Sequence, residues 1–341
     1  MSEDARRLDE ALSHGLAALD EGRLDEADDA LERARKYGGE NHPRVLHLAG
    51  LLALAEGDTE RGLGYLMQAT DQGPPHAEIY LDCAEALLIA RDDVDEAEVV
   101  VRQALDLPEL GERERCEATL TLAQIRLDRM DVDGAMALLD AVGCELEEHP
   151  AFLSTKSAAL LAAGRGDEAV EAARKAAEVD PNDPDFWYQL ALTLQEVGRD
   201  DEAVEIMEKV WRLDTADAPA EPVTPEESAL LVDLTEQAIA DLPDPLMRLV
   251  APAPIATQAR ATLEQVRAGL DPRSDVLFEG TPARDGASAR LERIIVLRDH
   301  VTEGATSEDD VASSLLYAVV DGIRTFFGRS DLVFGEATVD A

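Results

Sequence analysis

The chain has 341 residues, a length that is typical of about two domains and excludes a single small, marginally stable domain. Asp and Glu number 73 against 31 Lys and Arg, a formal net charge of -42, and so acidic a surface repels nucleic-acid backbones and anionic lipids. Hydrophobic residues make up 45% and aromatic residues 4%, which is typical of packed helices rather than of a disordered acidic tail.

The amino-terminal residues 1–7 contain no apolar segment. No later stretch has the roughly 18 uncharged apolar residues that span a bilayer. We therefore expect a cytoplasmic protein. Cys83, Cys116 and Cys144 fit no Cys-x-x-Cys pattern and lie on apolar helical stretches, so we expect buried thiols with a structural role.

A short segment, Gly-Arg-Leu-Asp-Glu-Ala at residues 22–27, recurs through the first two thirds of the chain. Each copy ends in a small residue, and the spacings between these residues are 35, 35, 38, 34 and 34. A glycine turn followed by a small residue predicts pairs of helices whose axes cross closely. The closing residues are Ala27, Gly62, Ala97, Ala135, Ala169 and Ala203.

This period and turn resemble the tetratricopeptide repeat. The resemblance covers residues 8–217 in six copies, more than the roughly three that a continuous stacked core needs. It implies an α-solenoid of helix pairs, which we place at residues 1–217. In the last copy the marker positions of the family are Trp187, Leu190, Ala191, Leu194, Gly198, Ala203, Met207 and Val210. In the preceding copy they are Leu153, Ser157, Leu160, Gly164, Ala169, Ala173, Ala176 and Pro181.

The resemblance also implies a concave groove, made by the first helix of each pair, that binds a peptide or a partner helix. The Lys, Arg and Asn set with which some members hold a terminal carboxylate does not occur at the matching positions, so an apolar or basic segment is predicted to bind. For each leucine the alternative stays open that it only seals one repeat against the next. The predicted groove residues are Leu12, Leu16, Leu19, His47, Leu51, Leu54, Ser154, Leu161, Tyr188, Leu192 and Gln195.

Beyond the repeats, three prolines in seven residues predict a linker at residues 218–226 and a second domain at residues 227–341. Thr224 and Glu227 are typical of a helix start, with Pro225 in the first turn.

Two short apolar segments follow in this second domain. Residues 246–255 and 293–298 are each predicted as an edge strand. A last helix is predicted from Ser307 or Glu308 to Phe327, closed by Gly328.

Over residues 226–334 these elements resemble the small zincin-like metallopeptidases of bacteria. In that family an Asp-Pro pair, here Asp271-Pro272, precedes a Phe-Glu-Gly element, here Phe278-Glu279-Gly280. A strand and a helix with the motif His-Glu-x-x-His-x-x-Gly-x-x-Asp then follow. In this chain Asp321 replaces the first His, Gly322 replaces the Glu and Thr325 replaces the second His. The Gly and the last Asp of the motif are retained as Gly328 and Asp331.

The chemistry of that motif needs two His one turn apart to hold zinc and a Glu to take a proton from the bound water. Asp321, Thr325 and Asp331 form a poor zinc ligand set, and Gly322 offers no base. We further expect Arg324 to pair with a nearby carboxylate, with Asp321 as one candidate, in the space that the metal would occupy. The remaining sequence shows no phosphate-binding loop and no nucleophile elbow.

The sequence therefore predicts a mainly α protein, a tetratricopeptide-type α-solenoid followed by a small α+β zincin-like domain without catalytic residues, metal or cofactor. The predicted function is that of a scaffold for a protein or peptide partner, not of an enzyme. Two alternatives stay open: a zinc metallopeptidase with an atypical site at Asp321 and Asp331, and a scaffold that assembles with itself. The sequence does not fix the oligomeric state.

Overall fold

The structure is a computed structural model, and it describes residues 3–72, 76–91, 93–108, 110–141, 148–216, 220–283, 288–305 and 307–329. Cys144 and Asp331 lie outside these residues. The chain divides into two compact units, Met1–Asp180 and Pro181–Ala341. The described residues form seventeen helices and three strands, so the chain is mainly helical, as predicted. Of these helices, none is long and apolar enough to cross a membrane.

The first unit consists of five antiparallel helix pairs, in which an odd-numbered first helix is followed by an even-numbered second helix. This order confirms the helix pairs expected from the repeat. The helices are α1 (Glu3–Asp20), α2 (Leu24–Gly38), α3 (Pro43–Ala55), α4 (Thr59–Asp71), α5 (Ala77–Arg91), α6 (Val94–Leu105), α7 (Glu112–Asp128), α8 (Val132–Ala141), α9 (Pro150–Ala162) and α10 (Gly166–Val179).

The small residues that close the sequence repeat occupy the fourth position of each second helix. All five alanines in this set have an exposed fraction of 0%. The sixth position is Gly62, where an added Cβ atom would lie 2.6 Å from the Leu54 side chain and 3.0 Å from the Gly50 carbonyl oxygen. A larger side chain would therefore push the two helices of a pair apart.

The turn between the two helices of a pair requires a left-handed backbone. Gly22, Gly57, Gly164 and Gly198 have φ values of 68°, 83°, 73° and 74°. In the fourth pair the same position is Met130, with φ 58° and an exposed fraction of 80%. A non-glycine residue in this conformation is destabilised by about 1–2 kcal/mol, because its Cβ atom approaches the following carbonyl oxygen.

A buried carboxylate joins the third pair to the fourth. Glu98 of α6 is only 8% exposed, and it accepts hydrogen bonds from Arg102 and Arg126 at 2.7 and 2.9 Å and from Arg129. The hydrogen bond from Arg102, with the charges of Arg126 and Arg129, lowers the pKa of Glu98 despite its burial. The ionised carboxylate is thus part of the folded structure.

The second unit begins with the sixth helix pair and continues into a small sheet. Strand β3 is central, with β1 parallel on one side and β2 antiparallel on the other. The elements are α11 (Pro184–Glu196), α12 (Asp200–Asp214), α13 (Pro225–Ala240), α14 (Asp244–Val250), β1 (Ile255–Gln258), α15 (Leu263–Arg267), β2 (Val276–Thr281), β3 (Arg290–Leu297), α16 (Arg298–Val301) and α17 (Glu308–Phe326).

Both faces of this sheet are covered by helices. Phe278, Ile294 and Val296 point to one face and share a core with α13, α14 and α17. Leu277, Ile295 and Leu297 point to the other face and pack with Ala191 and Met207 of the sixth helix pair. The sixth pair is therefore a layer of the second unit.

Polar contacts join the sixth pair to the segment between β1 and β2. The Tyr188 hydroxyl donates to Asp271 at 2.7 Å, and the Trp211 indole donates to the Ala261 carbonyl oxygen at 2.7 Å. Arg273 donates to Asp214 at 2.8 Å and lies over the Tyr188 ring. Burial and the Asp271 carboxylate raise the pKa of Tyr188, so its hydroxyl stays protonated.

Two predicted helix starts in the second unit are confirmed. Thr224 and Glu227 form a capping box, with hydrogen bonds of 2.7 and 3.2 Å. Ser307 accepts from the Asp310 amide at 3.2 Å, and α17 ends beside Gly328, whose φ is 64°.

The two predicted edge strands are wrong in detail. Residues 246–255 lie mostly in α14 and the loop after it, because Asp244-Pro245 suits the first turn of a helix, and only Ile255 enters a strand. The segment at residues 293–298 belongs to the central strand β3, in which residues 294–297 are all buried. A strand covered on both faces has a continuous apolar run and not an alternating one.

Candidate functional site

Two cavities lie on the first helices of the first unit. The smaller one, which we call the amino-terminal groove, has a volume of about 260 Å³. It lies on α1, α3 and the start of α5. Its lining residues are Leu12, Leu16, Arg44, His47, His76, Glu78 and Ile79.

The larger cavity, which we call the middle groove, has a volume of about 760 Å³ and lies on α5, α7 and α9. It shares Glu78 with the amino-terminal groove, so the first helices of all five pairs contribute to one run of surface. This volume is within the range of about 300–1,000 Å³ that is typical of ligand sites. Its lining residues are Glu78, Leu81, Asp82, Glu85, Leu88, Arg113, Glu114, Glu117, Leu120, Thr121, Gln124 and Thr155.

Polar side chains join neighbouring first helices along this surface. Arg44 donates to Asp9 at 2.5 Å, and His47 Nε2 lies 2.5 Å from Asp82 Oδ2. Each of these contacts joins residues 35 positions apart, the period of the repeat in this region. Equivalent positions on successive first helices are therefore joined by polar contacts along this surface.

The middle groove combines an apolar floor with acidic walls. Leu81, Leu88 and Leu120 are half-buried. Glu78 and Glu85 are exposed, and within the described residues no hydrogen bond or ion pair is found for either of them. Arg113 is the single cation among the lining residues and donates to Glu117 at 2.8 Å. The groove can thus accept apolar side chains together with positive charges.

The structure distributes the predicted groove residues over several places. Leu12, Leu16 and His47 line the amino-terminal groove, and Ser154 is half-buried beside Thr155 of the middle groove. Leu51 is half-buried on α3.

Other predicted groove residues serve packing. The Leu54 side chain fills the space over Gly62, and Leu161 packs on the core of the fifth pair. Tyr188 and Leu192 pack towards the sheet of the second unit, while Gln195 is exposed on α11. Leu54 and Leu161 therefore contribute to packing within their own helix pairs.

The acidic residues of α5 and α7 were missed by the sequence prediction. The third and fourth copies are longer than the standard repeat, so the sequence defines their registers less sharply and no groove residue was predicted on them. A signal exists all the same, because Leu12, His47, Asp82 and Glu117 succeed each other at intervals of 35 residues. Extending that interval beyond His47 leads directly to the middle groove.

A third cavity, of about 940 Å³, lies in the second unit between residues 220–225 and the loop after β1. Several of its polar side chains are paired within the chain, but the buried Oε1 atom of Gln258 has no hydrogen-bond partner among the described residues. Ser228 bonds to Thr257 at 2.8 Å, Arg260 donates to Asp299 at 2.6 Å, and Thr215 donates to the Trp211 carbonyl oxygen at 2.6 Å. This cavity thus offers the Gln258 oxygen as one unpaired acceptor, whereas the middle groove offers two exposed carboxylates, Glu78 and Glu85, and the grooves of the first unit are the better candidate.

The degenerate motif positions do not form a metal site among the described residues. Asp321, Arg324 and Thr325 are exposed on α17. Gly322 lies against Phe278, whose Cε1 atom is 2.6 Å from the position of an added Cβ atom. Within the described part of the chain, no group of three His, Cys, Asp or Glu side chains is placed to hold a metal.

The structure therefore gives a packing reason for the glycine where the motif has its catalytic Glu. Glu279 is also engaged, since Gln265 and Arg293 donate to it at 2.8 and 2.6 Å. Burial raises the pKa of Glu279, but these two hydrogen bonds outweigh burial and hold it below its ordinary value. A permanently ionised, doubly bonded carboxylate is poorly suited to proton transfer.

The two described cysteines, Cys83 and Cys116, are buried free thiols, as predicted. Burial, with the nearby Glu96 and Asp82, raises the pKa of Cys83 to about 12. The protonated thiol is a poor nucleophile, so the residue serves packing.

Comparison with known proteins identifies the repeat. One family model of the tetratricopeptide repeat matches residues 160–221 and a second matches residues 47–111. Curated proteins give no match.

Solved structures show the same fold at low sequence identity. PilF of Pseudomonas aeruginosa is similar with a TM-score of 0.51 and 14% identity, over 64% of this chain and 96% of its own. PilW, a type IV pilus biogenesis factor, has a TM-score of 0.52 and 15% identity, over 62% and 94%. A thermophilic tetratricopeptide protein of Thermus thermophilus has a TM-score of 0.45 and 23% identity, over 55% and 99%.

The family models and the helix pairs agree with each other. A glycine turn, a buried small residue at the crossing and a period near 34 residues are present in both matched segments. The chain therefore contains tetratricopeptide repeats, which support a role as a protein-interaction scaffold.

Proposed function

We propose that this protein binds a partner protein along the amino-terminal and middle grooves of its first unit, and that the bound segment is apolar or basic. The observation that carries this proposal is the middle groove, in which half-buried leucines lie between the exposed carboxylates Glu78 and Glu85. Burying those leucines against a partner releases water from apolar surface, and the surrounding carboxylates select its charge.

The second unit serves this scaffold as a binding or structural module and not as a peptidase. Its resemblance to the zincin-like fold remains a proposal drawn from the order of its elements. Gly322 is packed against Phe278, and Asp321 and Thr325 are exposed, so these positions do not fit a zinc ion. We expect no cofactor and no hydrolytic step in the function of this protein.

A crosslinking experiment tests the binding surface. A photoreactive amino acid placed at Leu81 or Thr121 reports on the middle groove, whereas Asp28 and Glu171, exposed on second helices, are matched controls. On irradiation in cells, we expect discrete adducts from the groove positions and none from the controls. Adducts of equal yield from both sets would contradict the proposal.

Elemental analysis tests the second unit against the alternative of a working zinc peptidase. After zinc loading and desalting of the full chain, we expect far less than one zinc per chain. A stoichiometric zinc ion that is lost in Asp331→Ala would overturn the non-enzyme proposal and favour a metal site at Asp321 and Asp331.

A further inference from the structure

We infer that the occupant of the middle groove is a basic amphipathic helix. This inference rests on the proposed function and specifies the class of partner. The inference depends on three properties of the groove walls: the surplus of negative charge, the spacing of its carboxylates and the position of its leucines.

The ratio of acidic to basic residues is higher in the middle groove than in the chain as a whole. Five carboxylates face a single guanidinium among the lining residues, whereas the whole chain has 73 acidic against 31 basic residues. The Arg113 guanidinium is engaged with Glu117, so it does not neutralise Glu78 or Glu85 on the facing helix. A cationic partner supplies the missing charge, and an acidic or phosphorylated segment is repelled.

The lining residues lie along one face of α5 and one face of α7, so their charges repeat with the spacing of a helix. On α5 the lining residues follow intervals of three, four, seven and ten residues from Glu78, and on α7 Glu117, Leu120 and Gln124 follow the same kind of interval. Glu78 and Glu85 are therefore separated by about 10 Å along α5, given a rise of 1.5 Å per residue. Lys or Arg residues seven positions apart on a partner helix have the same separation.

The leucines fix the apolar stripe of that helix. Leu81 lies between Glu78 and Glu85 on the same face of α5, and Leu88 and Leu120 continue the apolar floor. If a partner helix has apolar residues three and four positions after each cation, those apolar residues lie over the leucines of the groove. The apolar stripe of such a helix packs on the leucines of the groove, and its cations pair with the carboxylates of the groove.

The experiment measures binding of labelled helical peptides to the full-length protein by fluorescence anisotropy. The first peptide has Leu at its apolar positions and Lys at intervals of seven. A second carries Gln and a third carries Glu in place of each Lys. We expect the Lys peptide to bind, the Gln peptide to bind about tenfold more weakly and the Glu peptide not to bind at all.

A triple variant with a matched control distinguishes the effect of the groove carboxylates on binding from the effect of the overall negative charge of the chain. Glu78→Gln, Glu85→Gln and Glu117→Gln together remove three groove charges. Asp28→Asn, Glu171→Gln and Glu178→Gln remove three exposed charges from second helices. We expect the groove variant to bind the Lys peptide about tenfold more weakly and the control to change by less than about twofold.

Failure of the inference is distinct from failure of the proposed function. Equal binding of the Gln and Lys peptides, with competition between them, would overturn the charge preference and leave the groove as a peptide site. Equal weakening in the groove and control variants would overturn the inferred site. Binding of none of the three peptides would overturn both the inference and the proposed groove.

Discussion

The fifth and sixth helix pairs have almost the same local structure and different surroundings. Gly164 and Gly198 have φ values of 73° and 74°, and both Ala169 and Ala203 are fully buried. In the fifth pair, Thr155 of the first helix contributes to the middle groove. In the sixth pair, α11 and α12 pack on a sheet. The repeat motif therefore specifies a helix pair, while the residues outside the motif decide what covers it.

The largest expected effect concerns the sixth pair as a layer of the second unit. We expect a fragment of residues 181–341 to fold and a fragment of residues 220–341 not to fold. Without the sixth pair, Leu277, Ile295 and Leu297 lose their cover, at about 2 kcal/mol for each. Their sum, about 6 kcal/mol, lies within the usual stability of a domain, about 5–15 kcal/mol.

Circular dichroism during thermal unfolding measures this difference, with a fragment of residues 1–180 as the control that keeps its unit whole. A cooperative transition of the shorter fragment at the temperature of the longer one would show that the sixth pair is dispensable to the sheet.

A glutamate at position 322 tests the packing of the second unit. Gly322→Glu drives a side chain into the Phe278 ring, and we expect a loss of about 3 kcal/mol in the free energy of unfolding. Arg324→Glu introduces the same side chain at an exposed position two residues away and serves as the control. Equal stability of the two variants in urea unfolding would contradict the close contact between α17 and β2.

Glu98→Gln tests how the first unit is held together. The substitution removes the charge that three arginines share, and we expect a loss of about 2 kcal/mol in the stability of the first unit alone. Because the folded pKa of Glu98 is lowered, its contribution is present above the unfolded pKa and is lost as pH falls through the folded pKa.

The measurement for Glu98→Gln is urea unfolding at several pH values, with Glu171→Gln as an exposed control. As pH falls below the ordinary glutamate pKa of about 4.3, the wild-type protein should lose stability and approach the variant, whereas between that pH and neutrality the difference should stay constant. A difference that stays constant below that pH as well would show that the charge of Glu98 has no part in stability.

The smallest expected effect is a gain of stability in the first unit. Met130→Gly removes the strain of a left-handed non-glycine residue, and we expect about 1 kcal/mol, after the greater freedom of glycine in the unfolded chain is subtracted. Gly164→Ala is the reciprocal variant and should destabilise the fifth pair. Thermal unfolding measures both, and a lower melting temperature for Met130→Gly would refute this reading of the turn.

Much of the candidate site follows from the period of the repeat, and part of it does not. Leu12, Leu16 and His47 were predicted and line a groove, since they lie on the inner face of helices in an assigned register. Glu78 and Glu85 were not predicted, because the longer third and fourth copies obscure the register of α5 and α7. Tyr188 was predicted to line the groove from α11, but its hydroxyl donates a hydrogen bond to Asp271, which is 83 residues away in sequence.

The sequence by itself determined the helix pairs, their turns, their crossing residues and the capped starts of α13 and α17, because these depend on neighbours within one or two turns of the chain. Only the tertiary structure decided that β3 is central, that the sixth pair covers the sheet and that Gly322 is needed beside Phe278. These features depend on contacts between residues far apart in sequence. A local sequence pattern shows that a helix or strand has an apolar face, but it does not show which other element packs against that face.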